Sequence, residues 1–413
     1  MKKYMKAEKA LSILLVLCML LSYIPVMGHA ADAEQPAGDV FVGGIPLVDE
    51  QYLDLEGNVS DTMPAGGYAY CESVVKAGGT VVTLTLHDYT YTGIGMETLD
   101  GYSGAIYAPN ETTIVLEGEN IVTAEESQTY YTQGIHALGY LTLKGTGSLD
   151  FAAESDTYYD CAISAGADMD IEGGTINCTG ADYGIYAVDN LTISGGTITS
   201  VGIYEGICVL ENLTVSGGSV TAAGYSEGIY GEYDLTVSGG TVNVYSEDDH
   251  AVYVNKGNLY VSGGKLTVVT GNAEEYHGIY VNDGSTEISG GSLEALDGGM
   301  YSKKNIHLGE GMSVDSPEGG YADECVSVYD SNGNFAYTFV ITRSKLKGDL
   351  DFDGDVDAED LTILARHVAG IEVLTDVTAL KNADVDGSDE ITAEDLTLHA
   401  RFVAGIITSW DQE

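Results

Sequence analysis

The stretch GIYAVDNLTISGG fills residues 184–196, and near-copies follow as GICVLENLTVSGG at 206–218 and GIYGEYDLTVSGG at 228–240. The offset is 22 residues each time. AVYVNKGNLYVSGG at 251 and GIYVNDGSTEISGG at 278 keep step, and degenerate copies stand at 105 (AIYAPNETTIVLEG) and 134 (GIHALGYLTLKG). Within each unit three short runs alternate Val, Ile, Leu or Tyr with small or polar residues, which is the period of a half-buried strand. The Gly-Gly pairs and Asn or Asp residues between runs mark corners. Three short strands per unit of this length predict one rung of a β-solenoid, whose inner face is buried only when rungs stack. A propeller blade needs about 40 residues, so the repeat disfavours that architecture.

The fold expected over 40–342 is therefore mostly β: a parallel β-helix of about nine rungs, roughly 45 Å long at the usual strand spacing. The segment VVTLTLHDYTYTG (81–93) reads as an opening rung inside an N-terminal cap. At the other end, CVSVYDSNGNFAYTFVITR (325–343) reads as a hairpin around Asn332-Gly333 that covers the last rung.

Composition narrows the partners. The chain has 413 residues, with 64 acidic against 16 basic side chains. Nucleic acid needs Lys and Arg to neutralise phosphates, so this balance argues against it and favours neutral ligands, cations or basic partners. Residues 1–31 read as a signal peptide: lysines, an apolar run from Ala10, then small residues near Ala30 and Ala31. The expectation is a secreted, extracellular protein with no membrane insertion after cleavage. Five cysteines remain beyond that segment (Cys71, Cys161, Cys178, Cys208, Cys325), in spacings of neither a zinc site nor a disulfide framework.

The C-terminal stretch GDLDFDGDVDAEDL (348–361) concentrates like charge in a way that needs a cation. With Asp349 as position 1 of a twelve-residue loop, carboxylates fall at positions 1, 3, 5, 7, 9 and 12: Asp349, Asp351, Asp353, Asp355, Asp357 and Asp360. Gly354 stands at position 6, where the chain turns sharply. This is calcium-loop spacing, in which alternate residues aim oxygen at one centre and position 12 closes the shell. A second loop begins 35 residues later. Its ligands would be Asp384, Asp386, Ser388, the Glu390 carbonyl, Thr392 through water, and Asp395. Asp389 replaces glycine at position 6; Asp tolerates φ > 0 better than most residues, so two Ca²⁺ sites are expected, the second weaker. DLTILARHVAGI and DLTLHARFVAGI follow the loops as helices, ending at Gly370 and Gly405. No helix is expected before the first loop.

Two calcium loops, each followed by a helix, over 348–410 resemble a type I dockerin. The resemblance implies a small all-α domain that binds a cohesin module of a scaffoldin, at the cell surface or within a multiprotein, cellulosome-like complex. In that family, loop positions 10 and 11 and helix positions 17 and 18 often set partner choice. Here they are Ala358, Glu359, Ala365 and Arg366, then Ala393, Glu394, Ala400 and Arg401. Ala-Glu stands where familiar members carry a hydroxylated pair, which implies a different cohesin specificity. The matching halves imply that either can face the partner. The repeat region resembles the right-handed parallel β-helix modules described as carbohydrate-binding domains in exported Firmicutes proteins, which implies polysaccharide contact.

Tyr183, Tyr204, Tyr225 and Tyr276 precede successive GI phrases and are candidates for a glycan-binding strip. The competing reading is that they pack on neighbouring rungs. A β-helical polysaccharide lyase or glycoside hydrolase is the alternative function. However, Asp32–Thr342 contains no arginine and only six scattered lysines, so the basic group of such a lyase has no candidate and no catalytic residue is assigned. A structural or adhesive surface subunit is the third reading. The Asn-x-Thr triplets at Asn190 and Asn212 fall at rung corners, where Asn is favoured in any case.

Overall fold

The computed structural model describes residues 39–98, 101–127, 131–154, 160–343, 346–351 and 355–410. The signal-peptide expectation lies outside them. Three columns of parallel strands build the β region. The first column runs from Tyr102–Ala108 through Tyr131–Ala137 and Cys161–Ala165 to Met300–Ser302. The second runs from Gly79–His87 through Glu111–Glu117 to Ile306–Leu308. The third runs from Thr90–Gly93 through Glu119–Glu125 to the end of Thr286–Ala295. The stack makes about seven turns.

The alternation in sequence becomes ladders of identical inward positions. Ile163, Ile185, Ile207, Ile229, Val252 and Ile279 pair in register down the first column, each at most 1% exposed. Leu141, Met169, Leu191, Leu213, Leu235 and Leu259 do the same in the second. Full burial of each such side chain stabilises by roughly 1.5–3 kcal/mol.

The Gly-Gly corners have two separate causes. A Cβ on Gly217 would lie 2.3 Å from the Ser194 carbonyl oxygen of the rung before, so only glycine fits. Gly218 has φ +76°, which L side chains rarely adopt. The opposite corner carries a polar ladder. Asn190 Nδ2 donates to Asp168 Oδ1 (2.8 Å), Asn212 Nδ2 donates to Asn190 Oδ1 (2.9 Å), and Asn258 Nδ2 donates to Asp234 Oδ1 (3.2 Å). The two Asn-x-Thr asparagines are thus structural members of this ladder.

Antiparallel strands cover both ends. Val40–Val42 pairs with Tyr102–Ala108, and Tyr68–Lys76 pairs with Gly79–His87. At the far end Phe339–Arg343 pairs antiparallel with the third column, beyond a turn in which the Gly333 amide donates to the Asp330 carbonyl at 3.0 Å. Cys71, Cys178, Cys208 and Cys325 are free thiols, and Cys71, Cys161, Cys178 and Cys208 are buried.

The C-terminal region has three helices: α1 (Ala358–Val368), α2 (Val377–Ala383) and α3 (Ala393–Val403). Helix α2 was not foreseen. Its N-cap, Asp376, accepts from the Thr378 and Ala379 amides at 2.8 and 3.0 Å. It ends on Asp384, the first residue of the second loop, so that loop is flanked by helices on both sides.

Candidate functional site

Both acidic loops bring three carboxylates to one point. Oxygens of Asp349, Asp351 and Asp360 lie within 4.8 Å of one another, as do those of Asp384, Asp386 and Asp395. Ligands held 2.3–2.6 Å from a common Ca²⁺ cannot be more than about 5 Å apart, so both trios fit that ion. Asp355 and Asp357 form a further group with Asp360, whereas Asp353 and Gly354 lie outside the described residues.

The position-12 residues are the anchors. Asp360 is fully buried; its Oδ1 accepts from the Leu350 amide (2.6 Å) and the Asp351 amide (3.2 Å), and its Oδ2 from the Asp357 amide (2.9 Å). Asp395, equally buried, accepts from the Asp386 and Thr392 amides at 3.2 and 2.8 Å. Each closes a capping box at the start of its helix, with Asp357 or Thr392 as N-cap. A carboxylate taken out of water beside other carboxylates is costly unless a cation or strong donors compensate. Asp349 is also fully buried, so the first loop concentrates this cost most.

The second loop is shaped by its own hydrogen bonds. Ser388 and Asp389 amides donate to Asp384 at 2.9 Å each, and Ser388 Oγ donates to the Glu390 carbonyl at 3.0 Å. The Ser388 hydroxyl beside Asp386 holds that carboxyl below its ordinary value. Asp389 adopts φ +64°, the left-handed geometry that its loop position demands.

The eight candidate partner-contact residues lie on the outer sides of α1 and α3. Ala358, Glu359, Arg366, Ala393, Glu394 and Arg401 are exposed; Ala365 and Ala400 are half-buried. The halves are not chemically equal. Arg366 pairs with Glu372 at 2.9 Å, while the residue 35 positions after Glu372 is Ile407.

The four candidate glycan tyrosines are placed differently from one another. Tyr183 is half-buried, edge-on to Tyr186 at 5.6 Å and 6.4 Å from Tyr204; burial, then the charge of Glu205, push its phenol far up. Tyr276 lies edge-on to His250 at 5.4 Å. Tyr225 is 46% exposed, and its hydroxyl donates to Asp248 Oδ2 at 3.2 Å. Tyr230, Tyr253, Tyr280 and Tyr301 instead stack on one another along the first column at 5.6, 5.6 and 5.3 Å, as members of the solenoid wall.

A further group of acids follows the same corner. Glu205 Oε2 is buried with no hydrogen-bond partner among the described residues. Desolvation, reinforced by Glu227, Asp182 and Asp249, holds its carboxyl well above the usual range. No helix among the described residues is long and apolar enough to cross a membrane.

No curated protein and no solved structure matches the chain. Two family models do: that of carbohydrate-binding domain-containing proteins over 74–250, and that of the dockerin type I domain, a calcium-binding domain family, over 347–403. The chain therefore carries a type I dockerin domain, preceded by a region of the carbohydrate-binding domain-containing family.

Proposed function

We propose that this is a secreted component of a cellulosome-type assembly, in which the dockerin docks on a scaffoldin cohesin in a calcium-dependent way and the β-solenoid holds polysaccharide. The observation that carries the docking half is the convergence of three carboxylates in each loop, on a domain matched by the dockerin family model. Asp349, Asp351 and Asp360 would hold one ion; Asp384, Asp386 and Asp395, with Ser388 and the Glu390 carbonyl, would hold a second. Bound Ca²⁺ supplies the positive charge that lets these carboxylates sit together. The protein's own part is to fix α1 and α3 through the two capping boxes, so that Ala358, Glu359, Ala365 and Arg366, or Ala393, Glu394, Ala400 and Arg401, present one surface. The polysaccharide half is supported by the family match over 74–250 and by a strongly acidic chain that suits neutral ligands.

Pull-down from culture supernatant and cell wall, with calcium and with chelator, tests the docking. A partner retained only with calcium supports it; equal retention after chelation overturns it. Retention of the mature chain on polysaccharides without product release supports the binding role, and release of reducing or unsaturated sugar would make the protein an enzyme instead.

A further inference from the structure

Three successive rungs meet at one corner of the third column to form an open cleft of roughly 370 Å³ lined by Tyr225, Tyr245, Glu247, Asp248, Gly271 and Asn272. Both rings are available: Tyr225 is 46% and Tyr245 44% exposed. Tyr245 follows the strand alternation outward, next to inward Val244 and Ser246. Asp248 is held from two sides. Asn272 Nδ2 donates to its Oδ1 at 2.7 Å, and the Tyr225 hydroxyl donates to its Oδ2 at 3.2 Å. Its amide donates to the Tyr225 carbonyl at 2.9 Å, which fixes the corner to the rung before. A Cβ on Gly271 would come within 3.2 Å of the Tyr245 hydroxyl, so glycine keeps this side of the cleft open.

From this geometry we infer that the Tyr225–Tyr245 cleft is a subsite for a neutral pyranose unit of a polysaccharide. The inference rests on the glycan-binding reading above and gives it a location. Exposed aromatic faces offer apolar contact to the C–H face of a sugar ring, and a carboxylate and an amide already fixed in place accept and donate to its hydroxyls without paying further ordering entropy. Rung spacing near 4.8 Å is comparable to the size of one sugar ring, so a cleft three rungs deep fits a short run of units. The charge decides the class. Among the described residues Glu247 and Asp248 line the cleft and no Lys or Arg does, so a uronate polymer is repelled and a neutral one is not.

The test is affinity electrophoresis of the mature full chain in gels containing xylan, galactomannan, mixed-linkage glucan or polygalacturonate, comparing wild type, Tyr245→Ala, Asp248→Asn and the control Tyr233→Ala. Tyr233 is also exposed but lies outside the cleft, over Lys256. The expected result is retardation by a neutral polysaccharide, weakened about tenfold by Tyr245→Ala, weakened less by Asp248→Asn and unchanged by Tyr233→Ala, with no retardation by polygalacturonate. Unaltered circular dichroism of both cleft variants separates lost binding from lost fold. If wild type is retarded and the cleft variants are retarded equally, this location is wrong while the glycan-binding reading stands. If wild type is retarded in none of the gels, both fall; if polygalacturonate alone retards it, the neutral-sugar assignment falls.

Discussion

His399 Nε2 donates to the Gly348 carbonyl at 2.6 Å, tying helix α3 to the residue that precedes the first acidic loop. Both residues are buried, and the Trp410 ring closes over the same place: a Cβ on Gly348 would lie 2.6 Å from it. His399 occupies the position that Leu364 holds in the first half, 35 residues earlier, so at this core site the duplication gives way to a bond between two distant segments of the domain.

Replacing His399 with Leu, the residue of the sister position, should therefore destabilise the dockerin rather than restore symmetry. It leaves the Gly348 carbonyl buried without this donor, at a cost of about 1–3 kcal/mol. Trp410 is the only tryptophan of the chain, so its fluorescence during urea unfolding reports this domain alone. An unchanged midpoint would show that the bond contributes nothing net.

Asp360→Asn and Asp395→Asn should each abolish one calcium-binding event in calorimetric titration of the full chain. Asp360→Asn should remove the tighter event, because the first loop buries two carboxylates of its trio and the second buries one. A single event in wild type, or loss of the weaker event in Asp360→Asn, contradicts this order.

Glu205→Gln should stabilise the solenoid at neutral and higher pH. The carboxyl of Glu205 is raised in the folded state, so the folded chain binds more protons than the unfolded one above the ordinary carboxylate pKa, and stability falls as pH rises through that window. Gln removes the titration. Melting temperature measured from pH 4 to 9 should decline less for the variant than for wild type; parallel curves would rule Glu205 out as the cause.

Asn212→Ala should cost about 1–2 kcal/mol, since it takes the side-chain acceptor at 3.2 Å from the Asp234 amide and the side-chain donor at 2.9 Å from Asn190 Oδ1, which then keeps only the backbone amide of position 212 at 3.2 Å. Thermal melts of the mature chain check it. In a eukaryotic host the wild-type Asn212 should remain unglycosylated once folded, because its Nδ2 is already committed; mass spectrometry of the intact chain reads that.

Much of this was legible in the residues. The 22-residue offset fixes strand register, because Ile185, Ile207 and Ile229 must coincide for the inner face to be dry. The twelve-residue spacing foretold the converging trios, and Asp389 took the positive φ expected of it. What escaped depended on contacts between distant segments. Helix α2 is only seven residues long, and its signal is little more than Asp376 before Val377. His399 stands where the first half has Leu364, and nothing in its local sequence names the Gly348 carbonyl, 51 residues away, as its partner. The Tyr225–Tyr245 cleft draws on three rungs; Tyr245's outward place in the strand alternation was readable, but its juxtaposition with Asp248 and Asn272 is set by how the corners fold.

The antiparallel strands at both extremities have a consequence for behaviour in a crowded medium. Parallel in-register stacks are templates for their own growth, since each final edge offers the next copy the same hydrogen bonds and the same side-chain pattern. Val40–Val42 and Tyr68–Lys76 at one extremity, and Phe339–Arg343 at the other, present reversed polarity to any newcomer. At these strands a second copy of the module meets an edge that does not continue the parallel pattern, which disfavours end-to-end growth.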